Sequence, residues 1–459
     1  IAIIYENLII MSDNNIQLIL DGPIFQMLWK LGVPNIIAWL AWTFSAFSDA
    51  YFVGYLGTEA LAVIALVFPF QMLMLMMAGG AIGGGVTSSI GRAIGQRDFK
   101  KAESSFWHSI LICFFMSSIY SLIFYFFSRE IFLFMGATDS VLEDAVLYSN
   151  IFFGFSILIW LVNILSAIIR GLGDIYSPAK AITIGSIFQI FFSGILTLGF
   201  FGEKGFGVIG PSIAILISHL GMVLYLVYYL LSVQSIIKIK VKKFSINTFN
   251  DIMKVGGLGL LNSITIALTV VVVTGYVGNY GSNALAGYGL GSRLELILTP
   301  IIFGLGAALT ASVSINIGSK QINRARKITW AGGIVSFILI GLIGLMVSIF
   351  PNIWINNFSV DPSVYDYGRN YLEIAGPFYC LFGLGQAIYF ASQGTGKMIK
   401  PITVGVVRFL SVIVLGYFVI YINGPIDYIF YAVSLGLIIT GLGMCMCLFG
   451  SEWKENKIN

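Results

Sequence analysis

Apolar residues run through this chain in blocks of about 20, separated by short polar clusters. A block of that length, wound as a helix, matches the thickness of a bilayer core. Twelve such spans are read, at about 31–57, 60–85, 105–127, 146–169, 178–201, 207–231, 255–280, 284–312, 328–350, 371–391, 401–421 and 426–450. The longest polar stretch, Lys238–Asp251, divides them six and six. The pattern predicts an all-α polytopic membrane protein of twelve transmembrane helices in two six-helix bundles. Its expected parts are an N-terminal cytoplasmic segment (1–30), an N-lobe (31–231), a cytoplasmic linker (232–254), a C-lobe (255–450) and a cytoplasmic tail (451–459).

Composition agrees. The 459 residues are 58% hydrophobic and only 10% charged, too little charge to cover a soluble surface. With the N-terminus placed in the cytoplasm, 20 of the 25 Lys and Arg fall on the cytoplasmic side, 3 outside, and 2 (Arg293 and Arg408) inside spans. That split predicts both termini on the cytoplasmic side of the cell (inner) membrane. The net charge of +4 is this topogenic signal, and no basic stripe points to nucleic acid. Cys113, Cys380, Cys445 and Cys447 lie in apolar spans without zinc spacing and read as core residues. Met11 reads as the natural start, and nothing before it resembles a signal peptide.

The halves repeat. Val53-Gly54-Tyr55-Leu56-Gly57 with Ala60-Leu61-Ala62 returns as Val277-Gly278-Asn279-Tyr280-Gly281 with Ala284-Leu285-Ala286, an offset of 224. Gly95 to Ala102 returns as Gly318 to Ala325, and Arg170-Gly171-Leu172-Gly173 with Pro178 returns as Gln393-Gly394-Thr395-Gly396 with Pro401, both at 223. Six spans per unit is even, so the repeat is parallel, about an axis along the membrane normal. Two such bundles enclose a cleft and can rock by alternating access.

Asp49 stands out chemically, because a carboxylate inside an apolar span costs about 3 kcal/mol on insertion scales. It sits roughly 12 Å from the outer end of the first span. Burial disfavours its ionised form, which suits a proton acceptor; a structural carboxyl is the plainer reading. Its repeat partner is Val273, so the lobes differ chemically. Asn163, Gln189 and Ser193 are candidate partners of Asp49, or simple interhelical hydrogen bonds. Pro34 removes a backbone donor and is a candidate hinge or a static kink. Arg293 and Glu295 lie deep in the eighth span and, at i,i+2, should not pair with each other. Both are substrate-cavity candidates, and Glu295 is the C-lobe candidate for coupling. His219 reads as an interhelical donor. Gly79–Gly85 and Gly394-Thr395-Gly396-Lys397 lack the remaining phosphate-loop residues, which argues against ATP-driven pumping.

Ser48-Asp49-Ala50-Tyr51-Phe52-Val53-Gly54-Tyr55-Leu56-Gly57 resembles the first-helix signature of the multidrug and toxic compound extrusion (MATE) transporters. Gly287 to Ala325 is similar to that family's eighth helix, and Ile168 to Asp174 to the end of its fourth. In this order the motifs resemble the prokaryotic DinF-like branch. The resemblance implies cation-coupled antiport of organic, often cationic or amphipathic compounds. It also exposes departures: Gln189 and Ser193 stand where that branch has Asn-x-x-x-Asp, and Ile215 where it has Thr. Asp49 is then expected to be the lone acid of its cavity, with H+ as coupling ion, Na+ as the other possibility, and no cofactor or metal site. The expected partners are small organic substrates and the lipid bilayer, with no nucleic acid and the chain acting as a monomer. The alternatives are a lipid-linked oligosaccharide flippase, which should show several cavity cations, and a membrane-embedded transferase, which should show clustered acids.

Overall fold

The computed structural model describes residues 15–200, 203–232, 237–238, 240–358, 361–450 and 453. Met11 and most of the tail lie outside the described residues. Among the described residues twelve apolar helical units follow one another, the bent α4 counted as one: α1 Ile24–Gly54, α2 Thr58–Gly95, α3 Phe99–Phe134, α4 Asp139–Gly154 with Ser156–Gly171, α5 Tyr176–Leu198, α6 Gly210–Ser232, α7 Ile246–Gly278, α8 Ser282–Gly318, α9 Ile322–Ile349, α10 Pro362–Thr395, α11 Ile399–Tyr421 and α12 Asp427–Cys447. A two-residue strand pair, Gly199–Phe200 with Glu203–Lys204, joins α5 to α6.

Several helices outrun their apolar blocks. α1 begins at Ile24, not 31; α3 runs Phe99–Phe134, not 105–127; α7 begins at Ile246, not 255. Polar end turns are invisible to an apolar window, but caps hold them. Asp98 accepts Lys101 N at 3.0 Å, and Ser245 accepts Thr248 N at 3.5 Å.

The repeat is written in the backbone as well as the side chains. Left-handed residues occur at Gly57 and Gly281, Arg97 and Lys320, Gly173 and Gly396, and Gly199 and Asn423. These pairs are 223 or 224 residues apart. α4 bends by 42° at Phe155, and its mate α10 breaks into a 3-10 turn at Gly376–Phe378. α2 carries a π-helical segment, Met76–Ile82, through its Gly-rich stretch. A π turn widens the helix and is common at functional sites.

Each half has its own apolar core. Phe124 stacks on Phe153 at 3.7 Å beside Trp160 in the first, and Tyr288, Tyr371 and Phe430 cluster in the second. The basic ends of the helices are where the halves join. Arg92 of α2 meets Asp251 of α7 at 2.9 Å, and its guanidinium also reaches Gly394 O of α10. Asp251 accepts from Ser89 at 2.8 Å and faces Lys101 of α3 at 3.6 Å. Ser88 donates to Gln393 O. Gly85 makes the approach possible: a Cβ there would lie 2.6 Å from Ile252 O. Residues 15–22 seal the same end, with Asn316 and Arg324 donating to Ile19 O at 3.2 and 2.9 Å and Ile16 resting on Gly173. Among the described residues, no hydrogen bond or ion pair joins the halves at the opposite ends of the helices.

Candidate functional site

α1 carries Asp49 on a face that turns inward, toward α5 of its own half. The residue is 6% exposed. Gln189 Nε2 donates to Oδ2 at 2.9 Å. Ser193, one turn further along α5, lies beside the carboxyl but completes no hydrogen bond, and Oδ1 has no partner. No cation stands within ion-pairing distance of Asp49 among the described residues. The carboxyl opens onto a cavity of about 60 Å³ lined by Trp42, Gln71, Tyr148, Gln189 and His219, and it is the only acid there among the described residues. That volume is large enough for water.

The structure thus brings Asp49, Gln189 and Ser193 together. It does not bring Asn163 to them. Asn163 Nδ2 donates to Ile159 O at 2.9 Å within α4, and its Oδ1 rests against Gly79 in the π segment. Gln71, Tyr148 and His219 join the cavity without having been singled out as its members. His219 Nδ1 bonds Ile215 O at 2.8 Å, one turn back in its own helix, rather than a neighbouring helix. Gln71 Nε2 donates to the Tyr148 hydroxyl at 3.4 Å. Their spacing offered no signal, because they come from three different helices.

Pro34 lies inside α1. Its missing amide hydrogen leaves Lys30 O without the usual donor. Next to it, Asn35 Nδ2 bonds Leu31 O at 3.0 Å and Ile175 O at 3.5 Å, tying α1 to the turn before α5. α8 crosses α1 here, and Gly304 is the contact: a Cβ would lie 2.5 Å from Ile36 N.

In the other half, α8 breaks at Arg293 and Leu294, between Ser292 and Glu295. The break separates the two charges. Arg293 is exposed, whereas the Glu295 carboxyl turns inward to face the Tyr379 hydroxyl and Arg408. Tyr379 and Tyr371 share a hydrogen bond of 3.0 Å beside it.

The MatE family model matches this chain twice, over residues 34–195 and 260–418. "Probable multidrug resistance protein YoeA" of Bacillus subtilis is 23% identical over 77% of each chain. The "FAD transporter" of Shewanella oneidensis is 26% identical over 82% of each. A solved "MOP superfamily transporter from Pyrococcus furiosus" superposes with a TM-score of 0.87 at 22% identity, covering 94% of this chain and 96% of that one.

Proposed function

The chain belongs to the MatE family, and from that premise and the surroundings of Asp49 we propose that it is a proton-linked antiporter exporting small organic compounds by alternating access. It is a multi-pass membrane transporter and not an enzyme. The observation that carries the coupling proposal is the half-satisfied Asp49 carboxyl on a cavity with room for water and, among the described residues, no second acid. With one oxygen held by Gln189, the other is free to take a proton. The Ser193 hydroxyl beside it can donate to the ionised form and accept from the protonated one. A lone carboxyl offers a sodium ion little charge and few converging oxygens, which favours H+ over Na+.

In this reading the basic end faces the cytoplasm, both termini lie there, and the protein sits in the inner membrane. The joined basic ends then make this an outward-open arrangement, in which Asp49 takes a proton from outside. Pro34 and the Asn35 tether would pass that change to the angle of α1. One elementary charge moved across 100 mV supplies about 2.3 kcal/mol, roughly a fifty-fold gradient. Relatives are named for multidrug resistance and for FAD transport, so the substrate is an organic compound whose charge must be read from the chain itself.

The test is efflux of fluorescent organic probes from proteoliposomes under imposed proton or sodium gradients. Asp49→Asn should abolish proton-driven export while the protein folds normally, and Pro34→Ala should slow it. Full proton-driven export by Asp49→Asn would remove Asp49 from coupling. Export driven by sodium alone would overturn the choice of ion.

A further inference from the structure

A second cavity lies where the two halves meet. Arg170 of α4 and Gln393 of α10, mates in the 223-residue repeat, both line it. So do Thr87 and Thr310, another pair at the same offset. The cavity therefore sits on the axis of the repeat. Its volume is about 20 Å³, room for one small polar group rather than a whole organic molecule. Trp39 and Phe303 form its apolar wall, their rings 5.1 Å apart at 61°.

The repeat mates differ in what they have left to offer. Gln393 is committed: its Nε2 donates to Gly80 O at 2.7 Å and its Oε1 accepts from Thr310 at 3.4 Å. Thr87 donates to Ala167 O at 2.9 Å. Arg170 is 7% exposed and has no hydrogen-bond or ion-pair partner among the described residues. No acid lines the cavity. Asp174, four residues on, is held by the amides of Tyr176 and Ser177 and by the hydroxyls of Ser177 and Tyr229. A buried guanidinium without a counter-charge is expensive. Its planar fork of donors matches a carboxylate or a phosphate.

We infer that this cavity is an anion site on the substrate path, where Arg170 takes the carboxylate, phosphate or sulfonate of an organic anion whose body extends out of it past Trp39 and Phe303. A group bound on the repeat axis touches both halves, so its affinity differs between their two arrangements. The inference deepens the transport proposal and rests on it for the direction of export, but binding itself needs no gradient. It runs against the expectation of a cationic substrate, and it assigns a role to an arginine that sequence reading placed among the topogenic charges.

The test is equilibrium binding to the purified full-length protein by fluorescence anisotropy, with fluorescein as the aromatic anion and ethidium as an aromatic cation of similar size. The wild type should bind fluorescein more tightly than ethidium. Arg170→Gln should weaken fluorescein about tenfold or more and leave ethidium within about twofold. Arg170→Lys, which keeps the charge but loses the fork, should fall between, and it carries the test if Arg170→Gln does not fold. Wild-type binding of fluorescein no tighter than ethidium overturns the inference. So does equal weakening of both probes, or fluorescein affinity unchanged in both variants. A failure of coupling through Asp49 would appear only in gradient-driven export and would leave these affinities as they are.

Discussion

Replacing Asp251 by Asn should open the basic end of the molecule. In the wild type the Asp251 carboxylate holds Arg92 at 2.9 Å, accepts from Ser89 at 2.8 Å and faces Lys101 at 3.6 Å. The amide keeps the shape and removes the charge. Arg92 then remains 9% exposed with its positive charge uncompensated, unless the halves part and water reaches it. A hydrogen bond to a charged group is worth about 1.5–3 kcal/mol. Asp251 is 27% exposed, and solvent screening moves the estimate toward the lower end, about 1–2 kcal/mol. That corresponds to roughly a five- to thirty-fold change in the ratio of the two arrangements. Spin labels at Tyr55 and Asn279, exposed at the opposite ends of α1 and α7, would report it as a shift of the pulsed-dipolar distance distribution toward shorter separations. An unchanged distribution in a variant that elutes and melts like the wild type would refute the reasoning.

Two further substitutions probe the packing. Gly304→Ala places a methyl 2.5 Å from Ile36 N and should cost about 1–3 kcal/mol, read as a lower melting midpoint in detergent; an unchanged midpoint would mean that α1 and α8 yield freely. Arg324→Gln removes the charged donor from Ile19 O and Gly22 O and should raise amide exchange over residues 15–22 by roughly tenfold, whereas wild-type exchange there would show that Asn316 alone suffices.

Span count, the six-plus-six division and the parallel repeat were legible because each depends on composition and offset alone. Gln189 was one of three candidate partners of Asp49, with Asn163 and Ser193, and it is the one that donates to the carboxyl. What the sequence withheld depends on how each helix is rotated and where it bends. Asn163 seemed equally placed to reach Asp49, yet it turns to Gly79. His219, Gln71 and Tyr148 converge on the Asp49 cavity from three helices that no spacing rule connects. Arg293 and Glu295 were expected not to pair, and they do not; the break in α8 between them, which leaves Arg293 exposed, had no signal in the sequence. Arg170 was the most informative miss. Counting Lys and Arg near span ends treats such a residue as loop charge, whereas the last turn of α4 is buried. Its repeat mate gave a usable signal: a polar side chain recurring at Gln393 marks a position that faces the partner half rather than water.

The clasp on residues 15–22 also imposes an order in time. Ile19 and the Arg324 that holds it are 305 residues apart in the chain. At about 5–20 residues per second, on the order of 15–60 s of synthesis separate them. During that interval the whole first bundle is made and inserted without its seal, on the strength of its own core. The sealed end is therefore a late event in biogenesis, completed only once α9 has emerged to grip a segment made 305 residues earlier.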